Sequence, residues 1–171
     1  MKHRYLIALG SNRRHHRYGR PRDVLAAAIE RLESESVQVR AIAPVLTTDP
    51  VGPSLRRYAN SAAIIVSDLG PPELLALLKR LEREFGRNAR GQRWSSRVLD
   101  LDIVLWSGGP FAAPHLTVPH RLFRERNFVL TPAIKIAAAW RDPITGLTVR
   151  QLHARLTSPR AVRRATTWSG P

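Results

Sequence analysis

Apolar positions along this chain recur at two different spacings, and the points where the spacing changes mark its elements. Tyr5 to Leu9 is a short apolar run of strand length, ended by Gly10-Ser11-Asn12. From Asp23 to about Leu32 the apolar side chains Val24, Leu25, Ala28, Ile29 and Leu32 fall on one side of a helix. Val37 to Thr47 and Tyr58 to Ser67 read as extended, separated by the turn residues Asp49-Pro50-Val51-Gly52-Pro53. Pro71-Pro72-Glu73 opens a second helix, because proline suits the first helical positions. Leu74, Leu75, Leu77, Leu78, Leu81 and Phe85 supply its apolar side, and Gly86 is its expected stop. A loop rich in Arg, Gly and Ser follows from Arg87 to Ser96, and alternation at period two returns after it.

The resulting order, β-α-β-β-α-β, predicts an α+β fold of the ferredoxin-like, split βαβ kind. Beyond Gly108 the pattern predicts a short hairpin, then helices around Phe123 to Ala138 and Val149 to Leu156. No linker or repeat divides the chain, so residues 1–171 are expected to form a single domain. Residues from about 160 to 171 are expected to form a poorly ordered tail.

The most informative stretch is Trp94-Ser-Ser-Arg97-Val-Leu-Asp100-Leu-Asp102-Ile-Val-Leu-Trp106. Its alternation puts Leu99, Leu101, Ile103 and Leu105 on one face of a strand and Asp100 and Asp102 on the other. Given the rise of a strand, the two Asp Cα atoms lie roughly 6.5–7 Å apart. Like charges side by side on a strand repel, and aspartate is depleted from strands. Either the two acids are simply solvated or a divalent cation converts the repulsion into ligation, as paired carboxylates do for Mg²⁺ that also holds phosphates.

Composition narrows the partners. Lys plus Arg number 28 against 13 Asp plus Glu, a net charge of +15, which draws polyanions such as nucleotides, phosphorylated substrates or nucleic acid. With 43% hydrophobic residues the chain can bury a real core, and no stretch reaches the length of a membrane span. The N-terminus lacks the apolar region and cleavage site of a signal peptide. The absence of cysteine excludes disulfides and thiolate metal sites and fits a reducing compartment. A cytoplasmic protein with no membrane association is the expectation.

Four further features bear on chemistry. Arg87, Arg90, Arg93 and Arg97 crowd a small-residue loop beside the acids, an arrangement suited to gripping polyphosphate or to mere solvent exposure. Glu82 lies on the second helix and reads, by itself, as a solvated acid. His120 follows Val118-Pro119 and precedes the basic run Arg121, Arg124 and Arg126, while Phe128 begins an apolar helix. Tyr58 and Asn60 share a face of the third strand, and a buried Asn amide must find both donors and acceptors, which a polar heteroaromatic ring could supply.

Taken together, Ala8-Leu-Gly-Ser-Asn12, Tyr58-Ala-Asn-Ser-Ala62, Glu82 with Phe85-Gly-Arg87, the Arg97-x-x-Asp100-x-Asp102 strand and Leu116-Thr-Val-Pro-His120 through Arg126-Asn-Phe128 resemble one family. It is 6-hydroxymethyl-7,8-dihydropterin pyrophosphokinase, an enzyme of folate synthesis. The resemblance extends over residues 5 to about 135 and implies a ferredoxin-like fold. It implies two Mg²⁺ ions held by Asp100 and Asp102, with ATP as co-substrate. Asn60 would read the polar edge of the pterin, Tyr58 and Phe128 would sandwich its ring, and Thr48, Val51 and Trp94 would add pterin contacts, Trp94 from a mobile loop. Arg87, Arg97 and His120 would carry catalytic roles, and with Glu82 and Arg126 would form the ATP site. Small-molecule substrates, no nucleic acid and a monomeric state complete the expectation. The Arg- and His-rich stretch from Arg13 to Arg22 has no counterpart role in the family.

The competing class is an RNA-recognition module, which shares the topology and the basic charge. Such modules stack bases on exposed strand aromatics. Here aromatic residues make up 6% of the chain, and acids occupy the face that RNA would need. A pterin-binding relative without catalysis is a third class, and the presence of both acids, Arg97 and His120 speaks against it.

Overall fold

The apolar run at Tyr5 to Leu9 lies within a nine-residue strand, β1 (His3–Ser11), that pairs on both sides. The structure is a computed structural model and describes residues 1–35, 37–49, 57–86 and 98–158. After β1 come α1 (Pro21–Glu33), β2 (Val37–Ile42), β3 (Leu46–Thr48), β4 (Tyr58–Ser67), α2 (Pro71–Glu84) and β5 (Asp100–Trp106). The sheet order is β2-β4-β1-β5, with β3 also paired to β4, and every pairing is antiparallel. This is the ferredoxin-like α+β topology. The chain then adds the hairpin β6 (Phe111–Ala113) and β7 (Leu116–Val118), followed by α3 (Asn127–Ala137) and α4 (Val149–Thr157).

Two cores flank the sheet. On one face Tyr5, Ile7 and Leu9 of β1 meet Val24, Leu25, Ala28 and Leu32 of α1 and Leu74, Leu78 and Leu81 of α2. Each of these leucines is essentially removed from solvent, which stabilises by about 1.5–3 kcal/mol per side chain. On the other face Leu6 of β1 and Ala62 of β4 meet Val129, Leu130 and Ala133 of α3 and Val149 and Leu152 of α4. Gly86, with φ +87°, ends the α2 turn in the left-handed region, as its place after the last apolar residue predicts. Thr148 caps α4, its Oγ1 accepting from the Gln151 amide at 3.2 Å.

The extended segment expected from Val37 to Thr47 is two strands. Pro44 has no amide hydrogen to give a neighbouring strand, and the chain steps between β2 and β3 at Ala43-Pro44-Val45 while both still pair with β4. The helix expected from Phe123 is broken as well: a 3₁₀ turn (Phe123–Glu125) precedes α3, and Arg126 between them is extended at φ −106°, ψ 100°. Leu105 is a third difference. The β1–β5 register shifts so that Leu6 faces Leu105 and Ile7 faces Ile103, leaving Val104 as the extra residue of a bulge. Leu99, Leu101 and Ile103 therefore join the α1/α2 core, but Leu105 turns to the opposite core. The stretch from 160 to 171 lies outside the described residues.

Candidate active site

Residues directly opposite each other in paired strands project from the same face of a sheet. Asn60 on β4 pairs with Gly10 on β1, and Gly10 pairs with Asp100 on β5; one step along, Ala62, Ala8 and Asp102 form the next row. Thr48 on β3 lies opposite Tyr58. The register thus gathers an amide, a phenol and two carboxylates on the face that α3 covers. Two small residues, Gly10 and Ala8, separate the amide end from the acid end.

A cavity of about 870 Å³ opens over this floor. Thr48, Tyr58, Asn60, Asp100 and Asp102 line it from the sheet, and Arg126, Asn127 and Phe128 line it from the start of α3. Its size lies within the range of small-molecule sites. A Cβ added at Gly10 would come 3.4 Å from Asn60 Oδ1 and 4.0 Å from Asp100 Cβ, so the glycine keeps the floor open between them. Asn60 is only 5% exposed, and its Nδ2 donates to Thr48 Oγ1 at 2.8 Å. That bond fixes which way the amide faces and leaves Oδ1 on the Gly10 side. The Arg126 guanidinium lies 5.6 Å from the centre of the Phe128 ring.

His120 approaches the acids from outside the cavity lining. Its backbone amide donates to the Val104 carbonyl at 3.1 Å, which ties it to β5 just beyond the acids. Its Nδ1 accepts from the Leu122 amide at 3.2 Å, and its Nε2 lies 4.0 Å from Asp102 Oδ2. Burial pushes its pKa below the ordinary 6.5, outweighing the upward pull of Asp102, which favours the neutral ring.

Glu82 departs from expectation. It is fully buried beneath α2 and does not line the cavity: its Oε1 accepts from Lys79 Nζ at 2.6 Å and from the Leu101 amide at 2.8 Å. Lys79 also donates to the Leu101 carbonyl at 3.0 Å, and its Nζ lies 3.8 Å from Asp102 Oδ1. The reason is visible in the α2 pattern, since Glu82 is four residues after Leu78 and falls inside the apolar stripe rather than beside it. Lys79, Ala8 and Gly10 belong to the site's surroundings although sequence reasoning gave them no role there. Val51, Arg87, Trp94 and Arg97 lie outside the described residues.

Among the described residues no three His, Cys, Asp or Glu side chains group as a metal site. Asp100 and Asp102 could therefore supply only part of a coordination shell, which suits Mg²⁺, a cation that keeps waters and substrate phosphates as its other ligands. Nor, among the described residues, is any helix long and apolar enough to cross a membrane.

On this fold, a cleft with acids and cations at one end and an amide with aromatic rings at the other defines a transferase of phosphorylated small molecules. The chain belongs to the 7,8-dihydro-6-hydroxymethylpterin-pyrophosphokinase family, whose sequence profile matches residues 6–138. It is 37% identical over 145 residues to the 2-amino-4-hydroxy-6-hydroxymethyldihydropteridine pyrophosphokinase of Pseudomonas aeruginosa, covering 84% of this chain and 86% of that one. The Bacillus subtilis protein of the same name is 38% identical over 132 residues, 76% of this chain and 75% of that one. An Arabidopsis thaliana folate synthesis bifunctional protein is 33% identical over 77% of this chain, a match to 26% of its own length. The crystal structure of Plasmodium falciparum HPPK-DHPS with pteroate superposes at a TM-score of 0.68 and 10% identity, over 91% of this chain. This chain spans less than half the length of that protein, 42%, and at such identity the likeness speaks for the fold alone.

Proposed function

We propose that this protein transfers the β,γ-diphosphate of ATP to the hydroxymethyl group of 6-hydroxymethyl-7,8-dihydropterin, giving the pterin diphosphate and AMP. The observation that carries this reading is the strand register that sets Asn60, Gly10 and Asp100 in one row under a cavity. A ring bound against Asn60 would have its substituent directed along the small-residue floor toward the acids. Asn60 offers a donor and an acceptor to the pterin's polar edge, with Thr48 setting the orientation of its amide. Tyr58 and Phe128 would stack on the ring, worth about 0.5–1.5 kcal/mol per aromatic contact beyond area burial.

At the other end Arg126 and His120 would bind phosphate oxygens. Arg87 and Arg97 enter the ATP site, and Trp94 and Val51 the pterin site, on their motifs alone. Mg²⁺, two ions in this reading, held by Asp100 and Asp102 would supply charge neutralisation on the phosphates. The hydroxymethyl oxygen attacks the β-phosphorus and gives its proton to Asp100 or to a phosphate oxygen, the bond from that phosphorus to the α,β-bridging oxygen breaks, and AMP leaves. Phosphoryl transfer of this kind rests on alignment and charge compensation, which are what these side chains provide. Glu82 enters the ATP site on its motif alone; its carboxylate is buried on the outer side of β5, where it accepts from the Leu101 amide.

The test is AMP formation from ATP, Mg²⁺ and the reduced pterin. Asp100→Ala and Asp102→Ala should each abolish it, while thermal unfolding stays within a few degrees of the wild type. Substantial AMP production by either variant would remove the acids from the mechanism.

A further inference from the structure

β5 is an end strand of its sheet, and the backbone of Leu101, the residue between the two acids, is held on its outer side by α2. Its amide donates to Glu82 Oε1 at 2.8 Å and its carbonyl accepts from Lys79 Nζ at 3.0 Å. The same ammonium is paired with Glu82 at 2.6 Å and lies 3.8 Å from Asp102 Oδ1. Lys79 therefore reaches round the strand edge, bonded to the buried Glu82 on one side and facing a cavity-lining carboxylate on the other.

We propose that Lys79 is a positioning residue that makes cation loading at Asp100 and Asp102 depend on the nucleotide. In the free protein its charge offsets Asp102, so a divalent ion arriving alone meets both a carboxylate already compensated and a like charge close by. A polyphosphate restores the balance, since its own negative charge accompanies the ion and faces Lys79 as well. Glu82 holds Lys79 at the strand edge through their 2.6 Å ion pair, and the Leu101 carbonyl adds a second bond to the same ammonium at 3.0 Å. The inference rests on the reading of Asp100 and Asp102 as cation ligands.

Its test is Mn²⁺ binding to the full chain, followed through the electron paramagnetic resonance of the free ion, which needs no turnover. Lys79→Gln removes the charge while keeping hydrogen-bond donors for Glu82 and the Leu101 carbonyl; Lys79→Met, a second charge-removing variant, gives up the donors too. Without nucleotide, Lys79→Gln should bind Mn²⁺ about tenfold more tightly than the wild type, the factor expected when a unit charge a few ångströms from a divalent ion is removed at near-aqueous dielectric. With α,β-methylene ATP present the gap should shrink to about threefold or less. Asp102→Asn should lose Mn²⁺ binding under both conditions. Equal nucleotide-free affinity in the wild type and in whichever Lys79 variant remains folded, with binding still lost in Asp102→Asn, would overturn the role of Lys79 alone. Unchanged binding in Asp102→Asn would overturn the assignment of the acids and this inference with it.

Discussion

Among single residues, Asn60 stands out. It is buried, one side of its amide is committed to Thr48, and its oxygen faces the gap above Gly10. A ligand that completes the hydrogen bonding of such a group depends on it, and losing a matched buried bond costs about 1–3 kcal/mol. Asn60→Ala should therefore weaken pterin binding by roughly tenfold to a hundredfold while changing ATP affinity less than threefold, read by isothermal titration of each ligand. Equal loss for both ligands would mean that Asn60 supports the whole cleft rather than the ring. That Asn60 and the acids matter is legible from residue type: a polar amide and paired carboxylates on strand faces ask for partners. Glu82 is a different case. Its neighbours Lys79, Arg80, Arg83 and Glu84 make it look solvated, and only the helical stripe through Leu78 and Leu81 reveals that it is buried.

At the scale of elements, β1 is the hinge of the design, because among the described residues it alone pairs with both β4, which carries Tyr58 and Asn60, and β5, which carries the two acids. Its floor positions have to be small: a side chain at Gly10 would project between Asn60 and Asp100. Gly10→Val suits a strand and should fold, since β-branched residues favour that conformation. The added methyl groups should lower pterin affinity at least tenfold and leave the far-ultraviolet circular dichroism unchanged. A variant that binds the pterin normally would show that the ring does not cross this row. Strand order and the two N-terminal helices are legible in the sequence because their periodicity is strong. The split at Pro44, the bulge at Val104 and the break at Arg126 are less so. A bulge within a continuous apolar run changes which face each residue meets without changing composition, and Arg126 carries no intrinsic helix-breaking property. The break nonetheless sets Phe128 at the start of α3, where it lines the cavity.

At the scale of the whole molecule, the C-terminal layer is locked to the segment before α3 by a buried ion pair. Arg124 donates to Asp142 through Nε at 2.7 Å and Nη2 at 2.8 Å, and Thr145 Oγ1 and the Ile144 amide complete the carboxylate's shell. Burial alone would raise the Asp142 pKa, but these hydrogen bonds and the Arg124 charge hold it below the ordinary 3.8. A carboxyl whose folded pKa is depressed contributes stability that is present above its unfolded pKa and is lost as pH falls through the folded value. Asp142→Ala should thus cost about 1.5–3 kcal/mol at neutral pH, and the difference from wild type in urea unfolding should shrink as pH drops below 3.8. A difference independent of pH would assign the loss to packing instead. The same layer brings Arg126 and Phe128 over the sheet, so the pair supports the cleft. The cleft is a device for moving two phosphates as one unit, and phosphorus-31 magnetic resonance of a mixture of the protein with ATP, Mg²⁺ and 6-hydroxymethyl-7,8-dihydropterin tests this most directly. The α-phosphorus should appear in AMP while the β and γ signals move together into a pterin-linked diphosphate; formation of ADP, or hydrolysis of ATP with the pterin unchanged, would contradict it.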